Sequence, residues 1–172
     1  MRKGVAVRVD SAARTLTGPD GVTIPCTIGR SGACTAAEKR EGDGMTPLGT
    51  WPIRTVLFRA GRAAPTPGMS LPWRWVRAGD GWSDGIGDPA YNRPVRHPHG
   101  HSAEHLERED GLYDIVVVLG HNDAPVMPGM GSAIFLHCSD GEKPTEGCVA
   151  VEKARLSELL DQLRPGDVIA IG

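Results

Sequence analysis

A single mainly β domain of mixed α/β content, with long loops and one helix near the C-terminus, is what this 172-residue chain predicts. Its apolar runs are short, β-branched and bounded by Gly or Pro, which is the pattern of strands. One stretch alone, Leu156, Leu159, Leu160 and Leu163, repeats at helical spacing. The length is enough to bury a real core and too short for two ordinary domains, so residues 1–172 are read as one. About six strands against one helix make the count mostly β.

Val5, Val7 and Val9 alternate with Ala6 and Arg8 and read as the first strand. The basic opening Met1-Arg2-Lys3 does not read as a signal peptide, because Arg8 and Asp10 interrupt any apolar core behind it. Gly18-Pro19-Asp20-Gly21 supplies turn chemistry before a second strand from Val22 to Ile28. Gly29 to Gly49 is rich in Gly and charge without an apolar period and reads as loop, so Thr46-Pro47-Leu48-Gly49 falls at a loop-to-strand junction before β-type residues from Trp51 to Arg59. Residues 60–110 hold most of the Trp and His and six of the 14 Pro, with little periodicity, as long excursions do. Tyr113 to Gly120 and Ser132 to Cys138 read as buried strands, which places His137 at a strand end. Pro165-Gly166 stops the leucine helix before a last strand, Asp167 to Ile171.

Lys and Arg number 19 against 21 Asp and Glu, and the basic residues are scattered, so there is no footprint for nucleic acid. The longest apolar runs, such as Ile115 to Leu119, are far short of the roughly 20 residues of a membrane helix, so no transmembrane segment is expected. Four cysteines are few for a disulfide scaffold, although Cys26 and Cys34 could pair in an oxidising compartment.

The chemistry sits late in the chain. Leu136-His137-Cys138 ends an apolar run in a His, a polar loop follows, and Gly147-Cys148 precedes another apolar run. A thiol attacks acyl carbons as thiolate, so it needs a neighbouring base and a partly open position. Gly147 leaves room for substrate, and the N–H groups of Gly147 and Cys148 could turn toward a developing oxyanion. By spacing alone, a Cys that is simply a small buried hydrophobe and a His bonded to backbone remain open alternatives.

The segment from His137 to Cys148, together with Thr46-Pro47-Leu48-Gly49-Thr50-Trp51, resembles the L,D-transpeptidase (YkuD-type) catalytic domain of bacterial cell-wall enzymes. Lys39-Arg40-Glu41-Gly42-Asp43-Gly44, Asp88-Pro89-Ala90-Tyr91-Asn92 and Gly131 to His137 resemble one bacterial branch of that family, so the likeness runs over most of the chain. It implies a β-sandwich-like fold, Cys148 as nucleophile, and His137 as base and acid, oriented by a backbone carbonyl near Cys138. It also implies peptidoglycan stem peptides as partners, no cofactor, and a periplasmic or cell-envelope location. In the absence of a recognisable signal, activity on soluble wall fragments inside the cell is the other expectation.

Two departures stand out. Many members have Ser-His directly before Gly-Cys and an Arg two residues after the Cys, where this chain has Thr145-Glu146 and Val149-Ala150. Glu146 is expected to oppose thiolate formation unless it points away, or to meet an acceptor amine with Thr145 beside it at the substrate, while a plain solvent-facing Glu146 is the favoured alternative to that contact. His121 and Asn122, after the Val-rich strand, and Tyr91 and Asn92 are expected either as direct or supporting polar contacts for an amide-rich ligand or, with equal weight, as simple turn formers. Trp51, Trp73, Trp75 and Trp82 read as anchors before sugar platforms. The run Arg96-His97-Pro98-His99-Gly100-His101-Ser102-Ala103-Glu104-His105 is crowded enough to raise a zinc site and hence a metallohydrolase. The preferred expectation there is no metal and an exposed loop, with Ser102 and Glu104 at the cleft edge. Water in place of the acceptor amine would make an L,D-carboxypeptidase or amidase, and loss of chemistry would leave a wall-binding module.

Overall fold

Alternation of valine with polar residues puts Val7 and Val9 on the buried side of β1 (Val5–Asp10). The computed structural model describes residues 4–172, so the opening Met1-Arg2-Lys3 lies outside the described residues. A turn leads to β2 (Thr15–Thr17), antiparallel to β1, and the Gly18 to Gly21 turn joins it to β3 (Thr23–Pro25). Two further strands follow: β4 (Ala33–Thr35) and the long β5 (Thr46–Phe58). The chain then forms β6 (Trp73–Trp75), β7 (Asp80–Ser83), β8 (Pro94–Arg96), β9 (Ala103–His105) and β10 (Ile115–Leu119). Last come β11 (Phe135–Cys138), β12 (Val149–Val151), α1 (Lys153–Gln162) and β13 (Val168–Ile171). The protein is mostly β with one short helix near its C-terminus.

The main sheet runs β12-β11-β10-β5-β13-β1-β2-β3, with β4 and β6 also paired to β5. β5 is the shared spine: its first part, Gly49 to Pro52, pairs with β13, and Ile53 to Phe58 pairs with β10. Its halves carry the two leaves of a sandwich-like arrangement. Bridges from Thr27 to Ala150 and from Gly29 to Thr145 bring the far edge back to the β12 end. Between the leaves lies the larger core, which includes Val7, Leu16, Ile53, Val117 and Leu136, and α1 closes it with Leu156, Leu159 and Leu160. On the other face of the β5-β10-β11 leaf, Leu57, Val116, Val118 and Phe135 form a second cluster with Leu106 and Tyr113. A small sheet, β8-β7-β9, covers that cluster, with Trp82 edge-on to Phe135 at a ring separation of 5.2 Å.

Two stretches expected as loop contain strands. β4 lies within residues 29–49, and Thr46-Pro47-Leu48-Gly49 starts β5 instead of preceding it. Four strands of three or four residues punctuate 60–110. None is long enough to show a period of its own, and each is held by pairing with a partner distant in sequence. Gly49 has φ of +148°, and a Cβ there would lie 2.6 Å from the Trp51 ring, so the segment needs glycine to bend while remaining paired. All four cysteines are free, with Cys26 and Cys34 buried as thiols and no pairing between them.

Candidate active site

His137 and Cys148 are brought together by strand register. β10 and β11 are antiparallel with Val116 opposite His137, and Val116 in turn faces Leu57, so His137 projects on the side of the second apolar cluster. β12 lies parallel to β11 with Val149 beside Leu136, which sets Cys148, one residue before β12, next to Phe135. The Phe135 N–H points at Cys148 Sγ at 3.4 Å, and the thiol donates to the Ala133 carbonyl at 3.2 Å.

The turn carrying Cys148 is tied on both sides. The Thr145 N–H donates to Ile28 O, and Thr145 O accepts from the Arg30 N–H at 2.8 Å. The Thr145 hydroxyl donates to the Cys148 carbonyl at 2.6 Å and accepts from the Gly147 N–H at 3.1 Å, and the Thr46 hydroxyl reaches the same carbonyl at 3.4 Å. Gly147 has φ of +140°, and a Cβ would stand 2.9 Å from Met45 O, so no other residue fits without strain. The Gly147 N–H, expected to be free for an oxyanion, is already committed to Thr145. Among the described residues the Cys148 N–H takes no side-chain hydrogen bond.

Both reactive groups are uncharged at rest. Cys148, expected to be partly open, is 8% exposed, and burial pushes its thiol up to about 12, the Glu104 carboxylate adding to the rise. Burial lowers the His137 imidazole to about 4. Its Nδ1 lies 2.8 Å from the Cys138 carbonyl. A carbonyl only accepts, so Nδ1 carries the proton and Nε2 the lone pair. Tyr113 stacks edge-on to the His137 ring at 5.1 Å.

Cys148, His137, Gly147, Thr145 and Glu146 all line one cavity of about 530 Å³. Glu146, however, turns to solvent and pairs with Arg30 at 2.8 Å. The acid that bears on the thiol is Glu104, at the start of the small-sheet wall, with Arg108 and Tyr113 beside it. Arg108 and Lys143 supply cations to a cavity that lacks an Arg at position 150.

Tyr91, Asn92, His121 and Asn122 do not line this cavity; most of their polar atoms hold its back wall, while His121 Nδ1 is buried without a hydrogen-bond partner among the described residues. Tyr91 donates to Glu41 and accepts from the Gly131 N–H. Asn92 Nδ2 donates to the carbonyls of His121 and Asn122, while its Oδ1 accepts from Trp82 Nε1 and the Ala133 N–H. His121 Nε2 meets Met130 O at 3.0 Å, and Asn122 bridges Met127 and Gly131. These contacts fix the loop ending at Ala133, whose carbonyl holds the Cys148 thiol. In the histidine-rich stretch, His97 stacks on His105 at 3.7 Å and His99 bonds Asp88 at 2.6 Å. Among the described residues no group of three or more His, Cys, Asp or Glu side chains is placed to hold a metal ion. No described helix is long and apolar enough to cross a membrane.

The solved L,D-transpeptidase of Enterococcus faecium, as its C442S mutant, aligns with 98% of this chain and 49% of its own at 12% identity and a TM-score of 0.48. The L,D-transpeptidase from Mycobacterium smegmatis aligns with 98% of this chain and 59% of its own at 16% identity and a TM-score of 0.43. The chain thus spans about half to three-fifths of the length of these two proteins. No curated protein matches it. The model of the YkuD family, the L,D-transpeptidase catalytic domain, matches residues 4–171, and the chain belongs to that family.

Proposed function

We propose that this domain is a peptidoglycan L,D-transpeptidase of the cell envelope, with Cys148 as nucleophile and His137 as its base and acid. The observation that carries the reading is the shared cavity: a thiol and an imidazole whose lone pair falls on Nε2, Nδ1 being bonded to Cys138 O, open into one space of about 530 Å³. Such a volume accommodates a peptide segment. The chain belongs to a family whose chemistry is thiol acyl transfer, which is the chemistry these two groups can perform.

Since thiol and imidazole are both neutral at rest, the proton leaves Sγ for His137 Nε2 as the sulfur attacks, not before. Attack falls on the carbonyl of the L-centre of the third stem residue. The oxyanion is met by the Cys148 N–H, the His137 imidazolium protonates the departing amine, and the terminal D-residue leaves a thioester behind. An amine from a second stem then displaces the thiolate and makes the cross-link.

Mass spectrometry of purified disaccharide-tetrapeptide after incubation with wild type and with Cys148→Ala tests this. The expected products are a dimer joined through third residues and a wild-type thioester, both absent from the variant. Tripeptide alone would replace the transpeptidase with a carboxypeptidase, and identical untouched fragments would overturn the assignment.

A further inference from the structure

Opposite the nucleophile, the cavity wall carries a carboxyl group that the acylation step does not use. Glu104, in β9, receives the Tyr113 hydroxyl on Oε1 at 2.5 Å, and Arg108 approaches the same oxygen at 3.6 Å. Arg108 also lies 5.0 Å over the Tyr113 ring and is held from behind by Asp110. Among the described residues Oε2 takes no protein hydrogen bond, and the side chain keeps 27% of its surface open. The carboxyl is therefore held by one oxygen, and the residue lines the space that Cys148 and His137 share. Asp84 and Glu41 line the same cavity and bear on Glu104, while Arg108 is the cation among the described residues that pairs with it and is already shared with Asp110; Lys39 and Lys143 also line the cavity, Lys39 paired with Asp43.

We propose that Glu104, steadied by Tyr113 and Arg108, receives the acceptor amine as its ammonium ion and takes a proton from it, so that the thioester is resolved by an amine in preference to water. The inference rests on the transpeptidase reading above and adds to it the group that selects the acceptor. A primary amine arrives protonated at neutral pH and has no lone pair for attack. Transfer of one proton to Glu104 Oε2 frees that pair; the C–N bond forms as the C–S bond breaks. The second nitrogen proton passes to His137 Nε2 and then to the departing thiolate, and Glu104 returns its proton to water. One acyl thioester and one ammonium thus give one amide, one thiol and one released proton. Water can also give a proton to the carboxylate, but it carries no charge and is not drawn to it as an ammonium is, so the selection falls on amines through binding. Burial and the neighbouring carboxylates raise the Glu104 carboxyl above its ordinary value, which makes it a better proton acceptor than a surface glutamate.

The test is the ratio of cross-linked dimer to hydrolysed tripeptide from disaccharide-tetrapeptide, measured from pH 6 to 9 for wild type, Glu104→Gln and Glu104→Asp, with the Cys148 thioester followed by intact mass. In Glu104→Gln the ratio falls about tenfold or more whatever the total turnover, and it climbs about tenfold per pH unit because the acceptor must arrive already deprotonated. Glu104→Asp, which keeps the charge, recovers part of the ratio and the shallower slope. A thioester that forms in every protein with one unchanged ratio and slope, or an Asp variant no better than Gln, overturns the inference and leaves the transpeptidase reading standing. A wild type that forms no thioester removes both.

Discussion

Cys148 is guarded by its surroundings more than it is activated by them. Burial and the Glu104 carboxylate disfavour the thiolate, while the Phe135 N–H and the positive charges of Lys39 and Arg108 favour it only in part. Lys39 spends most of its charge on Asp43. Burial and Glu104 therefore make Cys148 a slow thiol, and alkylation is the measurement that reads it. With the thiol at about 12, the thiolate fraction grows tenfold per pH unit throughout the range from 7 to 10. The iodoacetamide rate at Cys148, followed by peptide mass spectrometry to separate it from Cys26, Cys34 and Cys138, is expected to rise with unit slope and no plateau over that range. A plateau near pH 7 would mean a preformed thiolate and imidazolium pair, and the concerted proton transfer argued above would be wrong. Cys26 and Cys138, each raised to about 11 by burial, make internal comparisons.

At the scale of elements, α1 shows how a sequence signal becomes a structural one. Leu156, Leu159 and Leu160 repeat at helical spacing and all three are buried, whereas Leu163 has left the helix in an extended conformation and still reaches the core. Leu156 is fully buried against residues of both leaves, and α1 packs on β11, the strand that carries His137. Leu156→Ala should cost about 2–5 kcal/mol in urea unfolding, from lost burial and an incompletely collapsed cavity, and a loss below about 1 kcal/mol would show that α1 is not part of the core. The helix, the apolar strands β10 and β11 and the Gly147-Cys148 turn were legible because their residues announce themselves locally, by period, by apolar run or by reactive type. β4 and β6 to β9 were not, since three residues have no period and these strands exist through partners far along the chain. The same reason hid Arg108 and Tyr113: Glu146, adjacent to the turn in sequence, faces solvent and Arg30 as a surface glutamate does, while Glu104 comes from 44 positions away. Tyr91, Asn92, His121 and Asn122 have the right chemistry for a ligand, yet the loop behind Ala133 has buried carbonyls and amides of its own that these side chains satisfy.

For the molecule as a whole, the two site residues set opposite edges to its stability against pH. His137 is neutral when folded, with its imidazole lowered to about 4 from an ordinary 6.5, so the unfolded chain binds the extra proton first as pH falls. Its contribution is complete above about pH 6.5 and is lost progressively down to about 4. Cys148 acts at the other edge: its thiol is raised from 9.0 to about 12, so the folded state keeps a proton that the unfolded chain gives up, and stability falls as pH climbs through that interval. Between the two lies a window from about 6.5 to 9 in which neither residue opposes folding. Lowering the imidazole from 6.5 to about 4 corresponds to roughly 3 kcal/mol when fully expressed. Urea unfolding of wild type and His137→Gln at pH 7 and pH 4.5 isolates this share, because the general acid sensitivity of the other carboxylates is common to both proteins. The wild type should lose roughly 2–3 kcal/mol more than the variant on acidification. Equal losses would mean that His137 reaches solvent and a proton in the folded state. The same measurement would then contradict the resting neutral pair, because an imidazole that protonates freely at pH 4.5 is not the buried base from which Cys148 is argued to draw its reactivity only when substrate is present.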